Sequence, residues 1–148
     1  IDHDENAVSI HVRRGDYLEP KYWKTTGCVC QLPYYLNAIA EMNKRISQPS
    51  YYVFSDDIAW VKENLPLPKA FFIDWNKGTE SWQDMMLMSR CRHHIICNST
   101  FSWWGAWLNP RENKTVIMPE RWFRHCETPD ICPDKWIKVP INQPDSIQ

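Results

Sequence analysis

Glycine is scarce in this chain. There are four in 148 residues. None falls in a Gly-x-Gly-x-x-Gly run, so the usual dinucleotide fingerprint is missing. A basic excess is also lacking. The formal net charge is -1, which argues against a general nucleic-acid binder. No apolar run approaches the ~18 residues that a spanning helix needs. The amino terminus is Ile1, with no initiator methionine and no basic-then-apolar signal pattern. A processed product or a fragment of a longer protein is therefore expected. Six cysteines are present, but none forms a Cys-x-x-Cys spacing, which argues against structural zinc. A chain with a good core does not need disulfides, so free thiols are expected. Cys28/Cys30 and Cys126/Cys132 are the pairs that could close. The histidines show no ligand spacing, and His93-His94 reads as the lead-in to a strand.

What remains is an ordinary globular composition, 43% hydrophobic and 24% charged. The length suggests one domain, 1–148. Nine tryptophans are the unusual feature. They serve either as core bulk or as stacking surfaces for sugar rings.

The pattern along the chain is strand, helix, strand, helix. "AVSIHVR" alternates, with Val8, Ile10 and Val12 on one face and Ser9, His11 and Arg13 on the other. Strands are expected at Val8–Arg13, Tyr51–Ser55, Phe71–Asp74 and Ile95–Asn98, with "TVIMP" closing the series. "LPYYLNAIAEMNKRI" has helical spacing, and Pro33 suits its first turn. "DDIAWVKENL" reads as a helix closed by Pro66, and "STFSWWGAWLN" as one ended by Pro110. Ser81-x-x-Asp84 matches a capping box. The expected fold is α/β and Rossmann-like: a mostly parallel sheet with helices on both faces. After Pro119 the pattern dissolves. Residues 120–148, punctuated by Pro129, Pro133, Pro140 and Pro144, read as an irregular tail wrapping the surface.

Open α/β sheets bind ligands beyond the carboxyl ends of their strands. Three strands here end in polar clusters: His11 with Arg13-Arg14-Gly15-Asp16, then Ser55-Asp56-Asp57, then Asn98-Ser99-Thr100 with Phe101-Ser102. If the strands are parallel, the clusters share one crevice. Asp56, Asp57, Ser99 and Thr100 also make good helix caps. Asn98-Ser99-Thr100 and Asn113-Lys114-Thr115 are formal glycosylation sequons, the first poorly placed at a strand–helix junction. Together the clusters suit a phosphorylated ligand. Helix N-termini favour anions, and arginine suits bidentate phosphate contacts. Asp56 or Asp57 would accept the paired N–H donors of a guanine edge, which adenine does not offer. The paired acids could instead hold a metal through phosphate. Two arginines make that unnecessary, so neither metal nor cofactor is expected.

"HVRRGDY", "VFSDD" and "NSTFSWWGAWL" resemble three ordered motifs of the α-1,2-fucosyltransferases, glycosyltransferase family 11. The match runs from about Ser9 to about Pro119. The resemblance implies one half of a two-domain GT-B-type enzyme, inverting and metal-independent. The donor would be GDP-β-L-fucose and the acceptor a galactose-containing glycan. The arginine motif lies in the donor-binding half of that family. The amino-terminal acceptor half is then the absent partner, and the isolated chain is not expected to be active by itself. A cytoplasmic location is expected, with membrane association a property of the full-length protein. Arg13, Arg14 and Asp16 are the candidate catalytic residues. His11 shares a face with Arg13, while Arg14 supports it or shares the phosphate. Asp16 is the first candidate for general base and Glu19 the second, unless Asp16 only orients the arginines. Four residues, Arg13, Arg14, Asp57 and Ser99, are expected to line one cleft.

Two rival readings stand beside this one. Arg14-Gly15-Asp16 spells an adhesion tripeptide, which would need a mobile exposed loop. A non-catalytic sugar- or nucleotide-binding module would use the tryptophans. Trp103, Trp104 and Trp107, however, are spaced for a common helix face and read as packing on the sheet.

Overall fold

The computed structural model describes residues 1–142. Among these, six strands form one sheet: β1 Ala7–Val12, β2 Ser50–Ser55, β3 Ala70–Ile73, β4 His93–Ile95, β5 Val116–Pro119 and β6 Ile137–Val139. Every pairing is parallel. The order is β3-β2-β1-β4-β5-β6, that of a doubly wound Rossmann sheet. Five α-helices are described: α1 Pro20–Tyr22, α2 Leu32–Arg45, α3 Ile58–Asn64, α4 Trp82–Arg90 and α5 Thr100–Trp107.

Alternation in β1 sends its residues to two cores. Val8, Ile10 and Val12 join Tyr34, Tyr35, Met42 and Val61 beneath α2 and α3. On the opposite face Phe54, Ile73 and Met88 form a cluster with Phe101, beneath α4 and α5. Gly105 lets α5 approach α4 closely, since a Cβ there would lie 2.9 Å from the Cβ of Met88. Both faces of β1 are covered, and all six of its residues are buried. That is the setting of a central parallel strand.

Three sequence expectations change. The first concerns β4, which begins at His93 rather than Ile95. His94 is fully buried. Ser9 Oγ lies 2.7 Å from its Nδ1. Asn109 Nδ2 donates to its Nε2 at 2.8 Å. With both ring nitrogens satisfied, a polar ring sits in the sheet at little cost. The second concerns Ser81, which has helical backbone angles and no side-chain cap bond. The capping box does not form, because Asp84 instead accepts from Asn76 Nδ2 at 2.7 Å. The third concerns the segment read as an irregular tail. It contributes β6, whose register pairs Ile117 with Ile137 and Pro119 with Val139. Residues 143–148, with Pro144, lie outside the described residues.

Candidate functional site

Register builds the floor of a cleft. His11 pairs with Phe54 across β1 and β2, and Phe54 pairs with Ile73 across β2 and β3. Parallel strands in register put these three side chains in one row on one face. The row floors a cleft of about 470 Å³ at the carboxyl ends of β1, β2 and β3. Phe101 and Met88 wall it from the helix side, with Arg13, Ser55 and Asp56 on its rim. The β3–α4 connection supplies Asp74, Asn76, Lys77, Gly78 and Ser81, and the first turn of α4 supplies Asp84. The cleft lies beside the point where strand order reverses between β1 and β4, the usual ligand position in open α/β sheets.

Arg13 leaves β1 directly at the rim. Its Nε donates to Asp16 Oδ1 at 3.1 Å and its Nη2 to Asp16 Oδ2 at 2.9 Å. This fork leaves Nη1 for another partner. The Arg13 hydrogen bond holds the Asp16 carboxyl below the usual carboxylate range. A base with a lowered pKa is a weak one at neutral pH. The arrangement favours Asp16 as the group that orients Arg13, the second of the two roles open to it.

The Arg14-Gly15 backbone is held by Asp56. The Arg14 N–H donates to Oδ1 and the Gly15 N–H to Oδ2, each at 2.8 Å. Asp57 caps α3, accepting from the Trp60 N–H at 3.1 Å. Its other oxygen accepts from Arg14 Nε at 3.3 Å. The Arg14 guanidinium carbon lies 4.0 Å from the centre of the Trp60 ring. These contacts hold Arg14 against α3, so Arg14 and Asp57 do not line the cleft. Nor does Ser99. Of the four residues expected there, only Arg13 lines it. The tripeptide Arg14-Gly15-Asp16 is anchored at all three residues, which removes the mobile loop that adhesion needs.

His11 is buried beneath Arg13. Burial, with Arg13 nearby, lowers its pKa to about 3, so the ring is neutral. Its Nδ1 lies 3.4 Å from Cys97 Sγ, and Phe101 packs against it with ring centres 5.7 Å apart. The third cluster is mostly structural. Asn98 is 2% exposed, and its Nδ2 donates to the carbonyls of Thr26 and Trp122 at 2.9 and 3.0 Å. It ties the α1–α2 connection to the chain after β5. Ser102 donates back to the carbonyls of Cys97 and Ser99. Ser99 is N-cap of α5 without a side-chain cap bond, and Thr100 opens the helix. Of this cluster only Phe101 reaches the cleft. Ser55 Oγ donates to the Val12 carbonyl at 2.7 Å and accepts from the Asp57 N–H at 2.9 Å, tying β1 to the start of α3.

Asp74, Asn76, Lys77 and Asp84 were not among the sequence candidates. Their signal was present: β3, like its neighbours, ends in a polar run. Burial raises the pKa of Asp84, partly opposed by the Asn76 hydrogen bond. Trp103 packs in a cluster with Trp122 and Trp136. Trp104 and Trp107 are 46% and 49% exposed, which corrects the expectation that all three pack on the sheet. Among the described residues no three His, Cys, Asp or Glu side chains group as a metal site. No described helix is long and apolar enough to cross a membrane.

A family model, "Glycosyl transferase family 11", matches residues 1–139. The chain belongs to glycosyl transferase family 11. Among similar proteins of this family is an alpha-1,2-colitosyltransferase of Escherichia coli, 38% identical over 138 residues, covering 90% of this chain and 48% of that protein. An O-antigen biosynthesis glycosyltransferase of the same organism is 37% identical, covering 90% and 45%. A galactoside alpha-(1,2)-fucosyltransferase 1 of Ateles belzebuth is 34% identical over 111 residues, covering 72% and 30%. The chain thus spans about half the length of its bacterial relatives or less.

Proposed function

We propose that this chain is the donor-binding part of an inverting, metal-independent α-1,2-fucosyltransferase. It holds GDP-β-L-fucose in the β1–β3 cleft, and a galactoside hydroxyl accepts the sugar. The observation that carries this reading is Arg13, which stands at the cleft rim with Asp16 fixing its fork and Nη1 left over. As the fucose–oxygen bond breaks, negative charge grows on the departing diphosphate. An arginine positioned there stabilises the transition state more than the bound donor. A charged hydrogen bond is worth roughly 1.5–3 kcal/mol, or about tenfold or more in rate.

In this reading guanine is read by a different acid from Asp56 or Asp57. Asp56 and Asp57 direct their carboxylates to Arg14-Gly15 and the α3 cap. Asp84 Oδ1 accepts from Asn76 Nδ2 and keeps a second lone pair, while Oδ2 accepts no hydrogen bond among the described residues. The Asp84 carboxylate accepts the paired N–H donors of guanine in this reading. The acceptor is gripped by chain outside these residues.

Calorimetry on this chain with GDP, UDP, ADP and lactose tests the reading. GDP is expected to bind best, with lactose alone giving no heat. Lactose binding without nucleotide, and no preference for GDP, would sink it in favour of a sugar-binding module. The similarity to a colitosyltransferase supports a second reading, in which the transferred sugar is colitose. Transfer assays of the full-length protein with both GDP-linked sugars separate the two.

A further inference from the structure

The charge around the cleft leaves a gap. Two cations were expected to meet the diphosphate, yet Arg14 is held by Asp57 and Trp60, with its side chain 14% exposed. Arg13 alone remains at the rim, and Asp16 already compensates part of its charge. His11 is neutral. Asp56 has both oxygens engaged by backbone N–H groups. A nucleoside diphosphate brings at least two negative charges into this space.

We infer that Lys77 supplies the second cation, binding the diphosphate of the donor across the cleft from Arg13; the inference rests on the donor reading above. Lys77 lines the same cleft as Arg13. It has no ion pair among the described residues, whereas Arg13, Arg14, Arg45, Arg90 and Arg92 all do. Its backbone is better fixed than its side chain. Gly78 follows at φ 57, a left-handed turn that glycine adopts without strain. The Glu80 N–H then donates to the Lys77 carbonyl at 3.1 Å and the Ser81 N–H to the Gly78 carbonyl at 3.2 Å. The turn fixes the root of a long flexible cation at the cleft, one short helical turn, Gly78–Glu80, ahead of α4. Lysine suits this place as a mobile point charge, while Arg13 provides the rigid fork. The β3–α4 loop and the first turn of α4 thus contribute to both ends of the nucleotide, Lys77 to phosphate and Asp84 to base.

The test compares GDP with guanosine, using calorimetry on the full chain with wild type, Lys77→Met and Lys77→Arg. Lys77→Met keeps most of the apolar stem and removes the charge. It is expected to weaken GDP about tenfold, leave guanosine unchanged and flatten the salt dependence of GDP binding. Lys77→Arg should restore most of the GDP affinity. Because Lys77 is exposed, the melting temperature should not move. GDP and guanosine weakening together would overturn the inference, since that pattern reports a disturbed loop. So would unchanged GDP affinity in Lys77→Met. Wild-type protein that fails to prefer GDP would instead overturn the donor reading, and the role of Lys77 with it.

Discussion

Asp56 and Gly15 fit each other at van der Waals limits. The Asp56 Oδ2 accepts the Gly15 N–H at 2.8 Å, and a Cβ on Gly15 would stand 2.7 Å from that same oxygen. The pair holds the backbone that carries Arg13 to the cleft, and it joins the ends of β1 and β2.

Gly15→Ala should therefore displace Asp56 and loosen the arginine loop. Asp56→Ala should do the same by removing two acceptors. Each variant is expected to weaken GDP binding several-fold with little loss of global stability, because the bonds are exposed. Combined, they should cost scarcely more than either alone, since both break one contact. Calorimetry on the three variants checks this. Additive losses would separate the two residues.

In the full-length protein, Arg13→Ala should lower fucose transfer by at least ~10-fold, and by more than it weakens GDP. On the proposed reading, the contact would strengthen as charge develops on the leaving phosphate. Arg13→Lys should rescue poorly, because a point charge cannot hold Asp16 and phosphate through one planar fork. Parallel losses in binding and turnover would place Arg13 in ground-state binding alone.

Asp84 and Asp57 should separate cleanly. Asp84→Asn replaces an acceptor with an amide that offers donors to guanine, so the preference for GDP over other diphosphates should relax. Asp57→Ala removes the α3 cap and should cost about 1 kcal/mol of stability, with nucleotide preference kept. Denaturation curves and nucleotide competition on both variants decide this. A loss of GDP preference in Asp57→Ala would return the base-reading role to that residue.

Acid should destabilise the fold well above the carboxylate range. Burial lowers the pKa of both His11 and His94 to about 3, below the ordinary imidazole value of 6.5. Between those values the unfolded chain binds more protons than the folded one. Stability is therefore lost as pH falls from 6.5 toward 3, by up to about 1.4 kcal/mol per pH unit for each imidazole. Melting temperatures between pH 7 and 4.5 should show this slope, and His94→Gln should reduce it by about half. A flat profile across that window would mean that the rings are not held neutral by burial.

Much of the architecture was legible in the chain. Alternation in "AVSIHV" located β1, and helical spacing with Pro33 located α2. Both signals are local, set by which side chains must leave water on each turn or pleat. The acceptors in "VFSDD" were legible as caps, and Asp57 is one. Strand β4 was read two residues late because two adjacent histidines look polar from sequence. Only burial against Ser9 and Asn109 makes His94 a core residue.

Sequence by itself determined the alternating α/β pattern, the arginine-rich end of β1 and the family motifs, because each is written within a few consecutive residues. Tertiary structure decided which groups face the cleft. Arg13 and Arg14 are adjacent in sequence, yet one stands at the rim and the other lies on Trp60. Asp56 and Asp84 are both acids at strand or helix ends, yet one holds backbone and the other lines the cleft. The direction of a loop side chain depends on partners such as Asp56, Asp57 and Trp60, which are about forty residues away, and those partners meet only once the parallel sheet has brought β1 and β2 into register.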